Sequence, residues 1–304
     1  MKAWFLKLHR WLALIFTAPL AVVIVTGLVL SFEPWLVTGA IVPDSLSAER
    51  VQTLLAQHDP NGQARALVYR SYDGTLTMGA GRSGGVTVDA ASGEAKPGPS
   101  TLAAVMGTMR GLHERLLIDA GWLVIASTAA MLVLVLLGGL MGWPRFANTL
   151  GGWHKAMAWG LLPLTVLSPL TALLMAAGVT FATPPAAPAA QGAPLKLAQA
   201  VDIVGRDHDL SSLVWLRPQG GRVMARLVED GEYRLYAVTP QGIQPMERNW
   251  PRLWHEGNFA GAWSAAMNVI LSVVMTGLLA TGAWIWLRRQ FRRRARRPLP
   301  TAPA

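Results

Sequence analysis

The sequence predicts a mainly α-helical membrane protein. Four transmembrane helices form two parallel repeats, and two small α+β domains lie on the face opposite to both termini. Three observations lead there. The chain is 52% hydrophobic and 14% charged, with a mean hydropathy of +0.34, too little polar residue to cover a soluble globule of this length. Four apolar stretches, 11–32, 120–144, 156–182 and 257–287, contain no Asp, Glu, Lys or Arg, and each meets the roughly 20 residues that a hydrocarbon core of about 30 Å requires. The charges, finally, are partitioned by segment.

All 17 acidic residues fall between Glu33 and Asp119 or between Asp202 and Glu256, mixed with 14 Lys and Arg, to which Lys196 just ahead of the second stretch adds a fifteenth. The remaining segments carry 12 positive charges and no acid: Lys2, Lys7 and Arg10, then Arg145 and Lys155, then seven arginines from Arg288 to Arg297. Basic residues held near the ends of spans mark the cytoplasmic side. The N-terminus, the short middle loop and the C-terminal tail are therefore predicted inside, and the isoelectric point of 10.8 does not point to nucleic acid. The arginine tail either fixes topology or also binds anionic lipid headgroups. Trp4, Trp11, Trp143, Trp153, Trp284 and Trp286 at one boundary, with Trp35, Trp122, Trp250 and Trp254 at the other, read as interfacial belts. The first apolar run has 22 residues, longer than the about 7–15 of a signal-peptide core, so a retained anchor is expected. Pro19, Pro163 and Pro169 lie inside spans and predict kinks, not breaks, since neighbouring helices can satisfy the released carbonyls.

The predicted order is a first transmembrane helix (1–36), an outer domain (37–110), a second helix (111–145) and a third (146–182). A linker with a second outer domain (183–252), a fourth helix (253–288) and a basic tail (289–304) follow. In the first outer segment, 47–58 reads as an amphipathic helix, and ALVYRS, GTLTMGA and GGVTVDA read as short strands. In the second, 195–208 reads as a helix, followed by the strands SSLVWL, RVMARLVED and EYRLYAV. Segments of 60 to 70 residues are near the lower limit for an independent core, so the two are expected to lean on each other or on the membrane. TPPAAPAAQGAP between them is a linker without periodicity. Gly79, Gly81 and Gly84 match a dinucleotide-binding spacing, but a strand pattern follows them where that motif needs a helix, so a hairpin turn is expected.

There is no cysteine, which removes disulfides, iron–sulfur clusters and covalent haem attachment. Histidine is left as the main soft ligand. His9 and His154 each stand at the cytoplasmic start of an outward-going span and are followed by a base, Arg10 or Lys155; 17 residues on come Thr26-Gly27 and Thr171-Ala172. His113 and His255 each precede an inward-going span, are followed by Glu114 or Glu256, and lie 32 and 33 residues before Arg145 and Arg288. The chain thus reads as an internal duplication, which places each pair at one depth. Two imidazoles at equal depth on neighbouring helices suit a bis-histidine haem iron, and two such haems b are expected. Arg10, Lys155, Arg115 and Arg252 stand near enough in sequence to pair with haem propionates, and Met109 and Met157 are alternative axial ligands. The competing reading is that interfacial histidines merely tolerate the headgroup region. His58 and His208, just past the ends of their domain helices, read as helix-end charges or caps, with a metal or substrate contact as the alternative. A continuous helix from His113 to Arg145 would be about 48 Å long, which would set the two haems far apart unless the helices tilted, the cytoplasmic histidines sat a turn or two inside, or a residue such as Trp159 or Trp263 bridged them.

The segments LHRWLAL, GLHERLLIDAGWL ending LLGGLMGWPR, WHKAMAWGLLPL with LTALLM, and LWHEG ending TGAWIWLRR together resemble the PepSY-associated transmembrane family. The resemblance covers nearly the whole chain, and the outer segments look like diverged PepSY domains. It implies membership beside FoxB-like and PiuB-like proteins of the bacterial inner membrane, regarded as reductases of siderophore-bound ferric iron. It implies further that His9, His113, His154 and His255 are haem-ligand candidates. The expected partners are a ferric siderophore, membrane lipid and an electron donor, either quinol or a cytoplasmic flavoprotein. A second expectation keeps the architecture without redox chemistry, as a membrane-anchored PepSY regulator of a periplasmic partner.

Overall fold

The computed structural model describes residues 2–79, 85–143, 146–183 and 195–295. The predicted turn at Gly81 and Gly84, the span end at Pro144 and Arg145, most of the Pro/Ala linker and the end of the basic tail lie outside them. In chain order the elements are α1 (Lys2–Ile15), α2 (Thr17–Leu30), α3 (Glu33–Gly39), α4 (Ala48–His58), β1 (Ala66–Arg70), β2 (Thr75–Gly79), β3 (Gly85–Asp89), β4 (Ala95–Lys96) and α5 (Thr101–Arg115). Then come α6 (Gly121–Leu140), α7 (Leu150–Gly160), α8 (Leu162–Ala176), α9 (Leu197–Asp207), β5 (Leu213–Gln219), β6 (Arg222–Glu229), β7 (Glu232–Thr239), β8 (Gly242–Pro245), α10 (Trp250–Glu256) and α11 (Gly261–Ala295). The chain divides into a helical unit, 1–28, 111–173 and 269–304, and a sheet unit, 29–110 and 174–268.

Among the described residues, three helices are long and apolar enough to cross a membrane: Thr17–Gly39, Gly121–Leu140 and Gly261–Arg292. A fourth span exists if Leu150–Gly160 and Leu162–Ala176, which meet at a bend of 67°, are counted as one. That bend corrects the expectation that the prolines only kink. Pro163 has no N–H to continue the ladder and disfavours helical geometry in the residue before it, so the helix ends at Gly160 and restarts. Pro169 is carried inside α8 without such a break. The join of α1 and α2 is the opposite case: Phe16 N donates to Leu12 O at 3.1 Å and Leu20 N to Phe16 O at 2.9 Å, so the two run on as nearly one rod. In the helical unit Leu20, Met131, Leu271 and Met275 form an apolar core.

A continuous helix through His113 is not found. α5 stops at Arg115, and Leu116, Leu117 and Asp119 all have positive φ, 55°, 60° and 56°. Side chains with a Cβ adopt that region at a cost, and three such residues within four positions make a sharp break before α6 opens.

In the sheet unit the outer segments do not make two separate sheets. Their strands join in one eight-stranded antiparallel sheet, ordered β4-β3-β2-β1-β5-β6-β7-β8. The seam is β1 against β5, with Leu67 opposite Leu216 and Val68 opposite Trp215. The physical reason is the one the segment lengths supply, since neither half can bury enough apolar surface alone. α4 and α9 pack side by side: Gln52 Nε2 donates to Ala198 O at 2.7 Å and to Asp202 Oδ1 at 2.8 Å, and a Cβ on Gly205 would stand 2.7 Å from Ala48 Cβ. Val51, Leu54 and Leu55 of α4 and Ala200, Val201 and Val204 of α9 share one core with Leu67, Leu76, Leu216 and Leu227 of the sheet. Hairpin β6–β7 turns on Asp230 and Gly231, both at positive φ, as a tight two-residue turn demands.

Leu216, fully buried at the seam, gives the first test. Leu216→Ala should cost about 2–5 kcal/mol, and hydrogen exchange should accelerate in β1 as well as in β5 if the two halves form one cooperative sheet. Faster exchange confined to β5–β8 would mean that they do not.

Candidate cofactor site

His9 lies midway along α1, and its Nδ1 is 3.1 Å from the carbonyl oxygen of Leu134 on α6. A carbonyl only accepts, so Nδ1 carries the proton and the neutral ring's lone pair is on Nε2. His113, in the last turn of α5, repeats this across to α2. Its Nδ1 donates to Val23 O at 3.0 Å and is 3.2 Å from Thr26 Oγ1, while the Thr26 hydroxyl donates to Val22 O at 2.7 Å. A Cβ at Gly27 would stand 3.2 Å from the ring's Cε1, so the ring's position depends on glycine there.

His154 of α7 makes the same arrangement with α11. Its Nδ1 is 2.8 Å from Thr281 Oγ1, whose own hydroxyl donates to Gly277 O at 2.6 Å, so the imidazole is again the donor at Nδ1. Leu278 offers its carbonyl to the same ring, and His9 is close enough to His154 to act on it electrostatically. Gly282 sits beside the ring as Gly27 sits beside His113, with a Cβ placed 3.5 Å from Cε1. The structure thus brings His9 and His154 together inside the helical unit. His255 belongs to the sheet unit, on α10, next to Glu256.

Along the α1–α2 rod the rise from His9 to Val23, which holds His113, is roughly 21 Å. The two histidine levels are therefore much closer than a continuous helix from His113 to Arg145 would set them. Arg10 follows His9 and is partly buried, Lys155 follows His154 and is exposed, and Arg115 closes α5. Arg252 is turned to a carboxylate of this chain, with Nη1 3.0 Å from Glu256 Oε1. Met157 packs against Gly277. His58 Nε2 donates to Gly93 O at 2.9 Å, and His208 Nδ1 lies 2.9 Å from Glu229 Oε1, so both tie helix ends to the sheet. Among the described residues no three His, Asp or Glu side chains come together; a metal at these histidines would have at most two such ligands.

A second set of polar residues was not anticipated from sequence. Glu256 is flanked by Arg226, at 2.5 Å, and Arg252. Burial works to raise its carboxyl, and the two guanidiniums more than reverse that, holding it at about 2. The signal was present as Arg226, a cation in the middle of an apolar strand, which needs a counter-charge when partly buried. Likewise the Thr-Gly pair at 281–282, which cradles His154, has the same form as the pair at 26–27 and could have been read as its counterpart.

The family described as PepSY-associated TM region has a model that matches residues 6–289. The chain belongs to this family. No curated protein matches the chain. As a PepSY-associated transmembrane protein, it places its six histidines unevenly: three hold their Nδ1 on an acceptor of a neighbouring transmembrane segment, two brace the sheet unit, and His255 stands beside the Glu256 cluster.

A carboxylate depressed on folding stabilises the fold at pH above its unfolded pKa and ceases to do so as pH falls through the folded one. The Glu256 contribution is therefore complete above about pH 4.5 and is lost towards pH 2. Thermal melts of the full chain in detergent should show a fall in stability across that window that is partly missing in Glu256→Gln, which should also be less stable at neutral pH. An identical pH profile in the variant would contradict the pairing.

Proposed function

We propose that this protein is a dihaem b-type electron-transfer protein of the bacterial inner membrane that reduces a ferric siderophore on the periplasmic side. The observation that carries the reading is the histidine chemistry. In His9, His113 and His154 the Nδ1 proton is held by an oxygen of an adjacent helix, which puts the lone pair on Nε2, the arrangement that orients a neutral imidazole towards iron. The surroundings fit the group: Gly27 and Gly282 keep side chains off two of the rings, and the interior around Leu20, Met131, Leu271 and Met275 is apolar, as a flat macrocycle between helices requires. His9 with His154, and His113 with His255, are the proposed axial pairs. Arg10, Lys155 and Arg115 would supply cations for propionates, whereas Arg252 would have to be shared with Glu256.

Haem, when bound, supplies a one-electron couple whose potential its ligands and surroundings set. The work of this chain's residues is to hold the two rings at each level in the correct tautomer, to exclude water, and to present the sheet unit to the iron complex. Ferric iron that takes up one electron becomes Fe(II), which hard oxygen ligands hold less well, so the siderophore releases it. The distribution of acid and base along the chain supports cytoplasmic termini and a periplasmic sheet unit. The outward strand order from the β1–β5 seam, the same on both sides, supports the duplication that pairs the histidines. The donor would be quinol or a cytoplasmic flavoprotein.

Four single variants test the assignment. His9→Ala and His154→Ala should each lose the same haem, and His113→Ala and His255→Ala the other. Reduced wild-type protein should be reoxidised by a ferric siderophore added from the periplasmic face, and His255→Ala should block this while the cytoplasmic haem stays reducible. Wild-type rates in His255→Ala, or no reoxidation of the wild type by any ferric complex, would overturn the reading.

A further inference from the structure

Strand alternation sorts the residues of β5–β7 between two faces. Leu216, Ala225, Leu227 and Tyr236 enter the core under α4 and α9. Trp215 stands opposite Arg226, and Arg226 opposite Leu235, so these three share the other face with Arg217 and Tyr233, two residues away along their strands. α10 and the 246–249 loop border this face and leave a cleft of about 170 Å³ lined by Trp215, Arg217, Arg226, Tyr233, Arg248 and Arg252 among others.

The cleft's charges do not balance. Glu256 serves Arg226 and Arg252, and Glu232 serves Arg234 and Arg248, so each carboxylate answers two guanidiniums. Glu247, also in the wall, accepts the backbone N–H of Thr183 at 2.6 Å. Arg217 stacks on the Trp215 ring at 4.2 Å and has no carboxylate partner among the described residues; the charges that act on it are those of Arg226 and Arg252, both positive. Tyr233, under the Arg226 guanidinium at 4.4 Å, has a buried hydroxyl with no hydrogen-bond partner among the described residues. Burial of an unpartnered donor is costly in the absence of a ligand.

We propose that this cleft binds a carboxylate-bearing anion, held by the planar fork of Arg217 in the Arg226–Tyr233 corner. On the reductase reading, on which the ligand's identity rests, the anion is an oxygen-donor arm of the ferric chelate. Guanidinium geometry matches a carboxylate in two parallel hydrogen bonds, and the excess of cations at the cleft supplies the attraction. The volume suits one such arm and not a whole siderophore. The same residues could meet a lipid phosphate, which the test separates.

The probe is iron-free citrate, titrated calorimetrically into the full-length protein in neutral detergent. Wild type should bind saturably, and more weakly as salt is raised. Arg217→Gln should weaken binding about tenfold, the loss expected for a charge-assisted contact, and Tyr233→Phe, which keeps the ring, should weaken it by a smaller factor. Absence of saturable binding, or equal affinity in both variants, would overturn the proposal. So would a site that ignores citrate but distinguishes nanodiscs with and without phosphatidylglycerol. Because binding is read without reduction, saturable citrate binding by a wild type that no ferric complex reoxidises would count against the reductase reading and leave the cleft standing.

Discussion

An imidazole inside an apolar helix bundle has no water for its ring N–H, so a neighbouring helix must accept that proton. That requirement organises the helical unit. His9, His113 and His154 each give Nδ1–H to an acceptor on another helix: Leu134 O, Val23 O and Thr281 Oγ1. Each bond fixes the tautomer, the ring's orientation and the closeness of two helices. The glycine at 27 follows from it, since a Cβ there would press on the His113 ring at 3.2 Å, whereas one at Gly282 would make ordinary contact with His154. Threonines 26 and 281 follow as well, each with its hydroxyl turned to its own helix backbone so that its oxygen is left to accept. The ligand geometry on which the redox reading depends is thus a by-product of satisfying one polar atom per ring.

The sheet unit meets a different constraint, that of size. Two segments too short for independent cores solve it by sharing one sheet and one pair of helices, closed at the seam by Leu67 and Leu216. Joining the halves also creates a continuous second face. On the β5–β7 half that face holds the arginine cleft, and the cost of partly burying Arg226 is met by Glu256, whose carboxyl burial works to raise and Arg226 and Arg252 drive down to about 2.

Much of this was legible in the chain. The apolar stretches and the partition of charge predict the spans, and α6 and α11 fall where the hydropathy sets them. Apolar residues at helical spacing in α4 and α9 and alternation in β6 and β7 predict a helix-on-sheet plan for each outer segment. The pairing of β1 with β5 was not legible, because neither strand carries a register signal for a partner some 150 residues away. The 67° bend after Gly160 was misjudged because a proline's effect depends on whether neighbouring groups re-satisfy the ladder, which sequence does not state. The break after Arg115 was hidden for another reason: leucines at positive φ violate the preference that sequence reading relies on. Of the candidate site, the histidines themselves stood out by spacing, whereas their acceptors are mostly main-chain carbonyls, which no residue type announces.

The central claim is that these rings present Nε2 to haem iron. It is tested most directly by electron paramagnetic resonance and absorption spectroscopy of the oxidised, purified protein, with haem counted per chain. The account predicts two haems per chain, both low-spin with two imidazole ligands, and a strong Soret band that shifts on reduction. Protein purified after haem-replete expression that shows no Soret band, or whose haem is high-spin or methionine-ligated, would contradict it.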